Sequence, residues 1–417
     1  MITYKESELP NGLKIITKNT PGVDAVAISV WFRAGSRYEN KDELGYAHLF
    51  EHFLFSGNNK YPTSRDIAEA VEIRGGSIGG WTSKNAVYFG AGTVVEYTEE
   101  VFDILSHLIL QPLLREEDLE KDKKIIIREM HRRRDDPAGW AAMLANTKTF
   151  GNHSLAHNPL GSEESILGAD IIRLKDYYEK FFVPQKAVII TAGGLDHNRV
   201  RKLAEEYFGG WQVKDEFIES TDSRPPERLS NYFFEKREIQ ETYLHFNYLT
   251  PGIDLIDDSA ALDVISDYLG RGMSSILSQE LREKRRLTYN VSSYASAYSD
   301  AGIFNINTST KEPEKAVDIV LDLIKSLKDR FTDDEVEKMK TKTVNYYKLA
   351  DTNPLHLRGL GDNFMVWDRL FTTEEYVDLL KKVTKEKLVE AAEKYLTPRD
   401  LFLVVLGPKD MGFPMQI

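Results

Sequence analysis

Three side chains able to hold a cation and move a proton fall within five residues, His48-Leu49-Phe50-Glu51-His52. At 3.6 residues per turn the two histidines lie one turn apart on the same side of a helix, and Glu51 falls between them in angle. The surrounding Tyr46, Ala47, Leu49, Phe50, Phe53 and Leu54 are apolar, so the helix that carries them is expected to be buried. Two imidazoles and a carboxylate gathered in such a place need partners, and a divalent cation would supply them.

A catalytic zinc takes three protein ligands and keeps one position open. The chain has no cysteine, which rules out disulfides and thiolate ligands and leaves His, Asp and Glu as donors. The third donor is expected to be Glu129, which follows the apolar triplet Ile125-Ile126-Ile127 on a helix spanning 118–130. Asp122 stands seven residues earlier, two turns up the same face, where it could orient a ligand through a hydrogen bond.

The elements that would position these residues occur twice. The strand-like run Val26 to Phe32 followed by Ala34-Gly35 has a counterpart in Thr242 to Leu249 followed by Pro251-Gly252, at an offset of 217 residues. Glu120-Lys121 matches Glu337-Lys338 at that same offset, and Glu179-Lys180-Phe181-Phe182-Val183-Pro184 matches Glu393-Lys394-Tyr395-Leu396-Thr397-Pro398 at 214. Each half mixes alternating strands (25–32 and 86–95; 243–249 and 302–308) with amphipathic helices (98–110 and 118–130; 314–328 and 332–347). The expected fold class is α+β, built as two similar α/β-sandwich domains. Their boundaries are expected at 1–215 and 233–417, joined by a polar linker over 216–232 that contains Arg224-Pro225-Pro226. Shifting by 217 puts Ile265, Tyr268 and Leu269 where His48, Glu51 and His52 stand, and Tyr346 where Glu129 stands. The second copy lacks the donor set, so the asymmetry assigns the function to the first.

H-x-x-E-H with a glutamate 77 residues after the second histidine, in a chain of two similar halves, resembles the pitrilysin and mitochondrial processing peptidase family, the inverted zincins. The resemblance covers essentially the whole chain and is nearest the bacterial processing-peptidase branch. It implies one Zn2+ per chain on His48, His52 and Glu129, with Glu51 as general base in the hydrolysis of unfolded or presequence-like peptides. It further implies that Arg282 and Tyr289, in Leu281-Arg282-Glu283-Lys284-Arg285-Arg286-Leu287-Thr288-Tyr289, hold the substrate backbone and donate to the oxyanion. Gly79, Gly80, Trp81 and Thr82 resemble the family's edge strand, to which an extended peptide adds inside a closed chamber. Two chains are implied to close as a clamshell homodimer. This chain departs from the family in having Gly79-Gly80 for the usual Asn-Ala and Asp122 for the usual Glu.

Other features bound the reading. A net charge of −12 with no basic block argues against nucleic-acid binding. Residues 1–6 lack the apolar core of a signal peptide, and no stretch approaches the ~20 apolar residues of a membrane span, so a cytoplasmic protein with no membrane partner is expected. His153 and His157 also stand four apart, but Gly151-Asn152 and Asn158-Pro159 flank them, so they are expected to be surface loop histidines. Competing with the peptidase are a non-catalytic scaffold subunit and an active subunit that requires an inactive homologous partner, forming a heterodimer. The intact donor set argues against the first; the presence of Arg282 and Tyr289 in the same chain favours a homodimer over the second.

Overall fold

The computed structural model describes residues 2–213, 226, 230–353, 355 and 357–412. Most of the expected 216–232 linker lies outside the described residues. Among those described, the strands form two sheets. The first holds β1 (Thr3–Glu8), β2 (Lys14–Asn19), β3 (Ala25–Phe32), β4 (Ser77–Thr82), β5 (Val87–Val94) and β6 (Ala187–Gly193), in the order β1-β2-β6-β3-β5-β4. The second holds β7 (Tyr232–Lys236), β8 (Thr242–Thr250), β9 (Val291–Ala297), β10 (Gly302–Thr310) and β11 (Phe402–Gly407), in the order β7-β11-β8-β10-β9.

The two sheets follow one path. β2-β6-β3-β5-β4 and β7-β11-β8-β10-β9 correspond strand for strand, including one parallel pair, β2 with β6 and β7 with β11, among antiparallel neighbours. The repeat seen as three short sequence matches is therefore a repeat of topology. Six helices carry the donor residues, carry their counterparts or cover a sheet face: α1 (Tyr46–Leu54), α2 (Glu116–Asp135), α3 (Pro137–Phe150), α4 (Ile256–Gly270), α5 (Asp333–Asp351) and α6 (Arg358–Trp367). The offset of 217 pairs α1 with α4 and α2 with α5.

Strand alternation decides which face of the first sheet carries the site. Val26, Ile28, Val30 and Phe32 of β3 point into one core with Val87 and Phe89 of β5, and the apolar side of α1, Leu49, Phe50 and Phe53, packs into that same core. Trp31 points to the opposite face and joins Ile16, Val188 and Ile190 in a separate cluster. Helix α6 covers that cluster with Leu360, Phe364 and Met365. Its Gly361 lies directly on the Trp31 indole, where a Cβ would come within 2.2 Å of the ring. In the second sheet the corresponding face, with Phe402, Val404 and Leu406, is covered by Ala141, Leu144 and Ala145 of α3.

These two helices are exchanged between the halves of the chain. One compact unit comprises Met1–His131, His157–Asp222 and Asp351–Thr372; the other comprises Arg132–Ala156, Ser223–Ala350 and Thr373–Ile417. Boundaries at 1–215 and 233–417 put 132–156 and 351–372 with the wrong unit. Two of the crossings fall within the C-terminal parts of helices, at His131–Arg132 in α2 and at Ala350–Asp351 in α5, and carry no run of linker composition that a sequence reading could register.

Candidate metal centre

Helix α1 starts where ordinary residues could not. Gly45, the residue before it, has φ of +93°, and a Cβ there would lie 2.9 Å from the Gly161 Cα and the Leu160 carbonyl oxygen. No side chain at Gly45 caps the helix, and the N–H groups at its start that have no partner within the helix are met from upstream. The buried Glu39 carboxylate accepts from the Gly45 N–H at 2.8 Å and the Ala47 N–H at 2.7 Å. Tyr46, Ala47, Leu49, Phe50, Phe53 and Leu54 are all buried, the expected set, while His48, Glu51 and His52 form the half-buried stripe.

Glu129 arrives from α2. Its helix buries Leu119, Asp122 and Ile126 along one face, and Glu129 continues that face by one turn. Its Oε2 lies 3.6 Å from His48 Nε2 and 3.8 Å from His52 Nε2, and one ligand atom from each of the three residues lies within 4.8 Å of the others. The two imidazole rings are 4.8 Å apart and nearly perpendicular, at 82°. Donors around a tetrahedral zinc at ~2.0–2.2 Å stand roughly 3.4 Å from one another, and the two Glu129–histidine separations of 3.6 and 3.8 Å are within a few tenths of an ångström of that spacing. Burial, reinforced by the neighbouring His52, pushes His48 down to about 3, which keeps its imidazole neutral and its lone pair available at physiological pH. The donors are two imidazoles and a carboxylate, and they fit zinc. Among the described residues this is the one group of three or more His, Asp or Glu side chains that converges in this way.

Glu51 is not part of the converging group. The Thr82 hydroxyl of β4 donates to its Oε2 at 2.6 Å, and Gly80 of the same strand lies against its stem. Burial raises the Glu51 pKa, opposed by the Thr82 hydrogen bond and by His52. Asp122 is buried and accepts from the Ser56 hydroxyl at 3.0 Å; burial raises its pKa while Ser56 and the nearby His52 lower it. β4 is the edge strand of its sheet, with Gly79 and Trp81 on one face and Gly80 and Thr82 on the other.

Arg282 and Tyr289 belong to the second unit and face each other, the guanidinium 5.0 Å from the ring centroid. Arg282 lies in a π-helical turn, Ser278–Lys284, and Tyr289 is 75% exposed. Tyr289 does not begin a strand, as its aromatic character suggests, but sits in the loop before β9, which starts at Val291. The surface assignment of His153 is also corrected. That residue is buried, its Nδ1 accepts from the Leu155 N–H at 3.2 Å and its Nε2 lies 3.3 Å from Asp300. His157 is half-buried with its Nδ1 3.1 Å from the Ser36 carbonyl oxygen. Flanking Gly, Asn and Pro mark a loop but say nothing of what covers it.

Three features escaped sequence reasoning: the Glu39 cap, the Ser56 partner of Asp122, and Thr82 as the partner of Glu51. Glu39 lies too far before the helix for a capping-box pattern. Thr82 was recognisable as part of a strand, yet nothing local shows which helix that strand faces.

A duplicated α+β frame with an H-x-x-E-H helix and a convergent glutamate in one copy defines the class of a metallopeptidase fold. Residues 14–162 match the model of the insulinase family, peptidase family M16, and residues 171–343 match that of the peptidase M16 inactive domain. An uncharacterized zinc protease of Bacillus subtilis, YmxG, is 29% identical over 405 residues, covering 95% of this chain and 97% of its own. The crystal structure of a protease from Helicobacter pylori superposes with a TM-score of 0.89 at 20% identity, over 97% of this chain and 100% of that one. A crystal structure described as a peptidase M16 inactive domain, from Pseudomonas fluorescens, gives 0.88 at 21% identity, over 99% and 100%. The chain belongs to peptidase family M16. No helix among the described residues is long and apolar enough to cross a membrane.

Proposed function

We propose that this chain is a zinc-dependent endopeptidase that hydrolyses extended, unfolded peptides. The observation that carries the reading is the convergence of His48, His52 and Glu129 beside a glutamate, Glu51, that is held by a different partner. His48, His52 and Glu129 would hold one zinc per chain. Zinc bound there would supply Lewis-acid activation of water and of the scissile carbonyl. Glu51 takes the proton of the attacking water and returns it to the leaving amine, a task suited to a carboxylate whose pKa burial raises. Thr82 keeps that carboxylate oriented, and Asp122 helps hold the geometry from behind.

The edge strand β4 offers Gly79, Gly80, Trp81 and Thr82 to an added peptide strand, whose backbone would be bound without regard to sequence. Arg282 would hold that backbone and Tyr289 would donate to the oxyanion, supported by their mutual stacking and by the exposure of the Tyr289 ring. Two chains would close into a homodimer in which this pair completes the partner's site. The inactive-domain match, residues 171–343, contains none of His48, His52, Glu51 and Glu129, and so does not weigh against hydrolysis at the first-half site.

The test is direct. Purified protein should contain zinc and cleave a library of short unfolded peptides while sparing compact folded proteins. Glu51→Gln should lower peptide hydrolysis by about 10²–10⁴-fold with zinc still bound, because the base is not a ligand. Turnover by that variant at near the wild-type rate would overturn the reading.

A further inference from the structure

The two halves start their paired helices at different places. Gly35 and its counterpart Gly252 are each followed by a 3₁₀ turn, Ser36–Tyr38 in the first half and Ile253–Leu255 in the second, so the offset of 217 holds to the residue here. In the second half the chain then enters α4 at once, at Ile256, the counterpart of Glu39. In the first half residues 39–45 form no helix, and α1 begins only at Tyr46, two residues before His48. In an unbroken helix the N–H groups of Gly45 and Ala47 would be met by the carbonyls of Lys41 and Glu43. The Glu39 carboxylate takes both instead, one on each oxygen, at 2.8 and 2.7 Å, and the residue is only 4% exposed. On the other side of this turn Gly161 is in close contact, where a Cβ would come within 2.5 Å of the Gly45 Cα. A buried carboxylate is costly unless its oxygens are met. Here they are met by backbone that leads directly into the first metal donor.

We propose that Glu39 is a positioning residue for the metal-binding helix: its carboxylate stands in for the helical turns that α1 lacks and fixes where α1 begins, and with it the place of His48 and His52 opposite Glu129. A helix end with no preceding turn can slide along its axis or rotate about it, and two bonds at different points of the first turn stop both movements. The Ala47 N–H is bonded one residue before His48, so a shift at this clamp reaches the first donor through a single peptide link. Glu51 and His52 ride on the same helix and move with it. α4 runs straight through the corresponding positions and needs no such clamp. The consequence for zinc rests on the metal-centre reading above; the placement of the helix start does not.

The experiment compares wild type with Glu39→Gln, Glu39→Ala and Thr63→Ala. Glu39→Gln keeps the volume but offers one acceptor oxygen and one NH2 group to two N–H donors, so one bond is lost. Glu39→Ala loses both. Thr63→Ala is a stability control in the same unit: it removes the capping box of the helix Ser64–Glu72, and should lower Tm with zinc affinity within about twofold of wild type. Zinc affinity, read by competition with a chelator on folded protein well below Tm, should weaken by about tenfold or more in Glu39→Gln and further in Glu39→Ala. Crystal structures of metal-free wild type and Glu39→Gln supply a readout independent of zinc and of activity: the start of α1 should be displaced in the variant, and the separation of His48 Nε2 and Glu129 Oε2, 3.6 Å in the native chain, should change with it. A zinc affinity within about twofold of wild type in both Glu39 variants overturns the proposal. So does a Glu39→Gln crystal in which α1 begins and sits unchanged, or an equal loss of affinity in Thr63→Ala. Should Glu39→Ala fail to fold, the isosteric Glu39→Gln decides. If the wild type binds no zinc, the metal-centre reading fails and the crystal comparison still decides whether Glu39 sets the helix.

Discussion

Helices α1 and α4 occupy the same place in two copies of one topology, yet they distribute polarity in opposite ways. In α1 the buried positions are all apolar and the polar residues, His48, Glu51 and His52, form the half-buried stripe. In α4 the positions of the donors are Ile265 and Leu269, and the polar residues are buried instead: Asp258, Asp263, Ser266 and Asp267. Each buried acid is matched by donors from elsewhere in its unit. Asp258 meets Lys387, Lys394 and the Tyr395 hydroxyl; Asp263 accepts from the Tyr347 and Tyr376 hydroxyls; Asp267 meets Arg271. Arg271 in turn lies over the ring of Tyr346, the counterpart of Glu129. The frame therefore tolerates either arrangement. A metal centre requires that the frame leave polar donors without protein partners on an accessible stripe, and the second copy has satisfied its own.

The comparison breaks most readily at the donors. Glu129→Gln and His48→Ala should each lower zinc affinity by about 10²-fold or more, since each removes one of three ligands. Tyr346→Phe, at the counterpart of Glu129, should leave the zinc content unchanged. Metal analysis after dialysis against a graded series of chelator concentrations reads both. Equal loss from the two sites would mean that the halves share the metal, and the asymmetry would be wrong.

The next largest effect concerns what the second half contributes in place of a metal. If Arg282 and Tyr289 of one subunit complete the site of its partner, Glu51→Gln and Arg282→Ala/Tyr289→Phe chains are each nearly inactive as homodimers. Mixed and allowed to exchange, half of the dimers become heterodimers with one intact site of two, and activity should return to roughly a quarter of wild type. A pair that acts within its own chain leaves a defect in every site, and mixing restores nothing. Mass spectrometry of the mixture establishes exchange independently of activity.

The legible parts of this molecule are those in which period and spacing act locally. Helix 98–110 and strand 25–32 have the limits their patterns indicate, because their apolar residues recur with one period and are bounded by turn residues. The donor set was legible because a one-turn spacing of two histidines has few other uses, and the repeat exposed its absence from the second half. What escaped was long-range. The exchange of α3 and α6 depends on which face of a sheet is left uncovered, and Gly361 against Trp31 is intelligible only once the two are seen in contact. That Gly80, read from sequence as a departure, lies against the stem of Glu51 is likewise visible only once the fold is known. The burial of His153 has the same origin, in cover supplied by residues near Asp300.

The smallest expected effect lies in the polar interior of the second half. Asp263 is buried, and burial pushes its carboxyl up to about 6 from 3.8; Asp267 adds to the rise, while the Tyr347 and Tyr376 hydroxyls oppose it. A folded-state value above the unfolded one means that the folded protein holds its proton more tightly. The stabilisation from that proton is complete below the unfolded pKa near 4 and is lost as pH rises through about 6. Asp263→Asn mimics the protonated acid at every pH. Relative to wild type it should be near neutral at pH 4 and more stable at pH 7, by about 1–3 kcal/mol, with the difference opening between those limits. Urea unfolding followed across that range, taken as variant minus wild type, cancels the other titrating groups. A difference that stayed flat with pH, or that favoured wild type at pH 7, would show that the two tyrosine hydroxyls stabilise the ionised carboxylate more than burial opposes it. The contrast drawn between α1 and α4 would then rest on an acid that is charged in place, not one held as its neutral form.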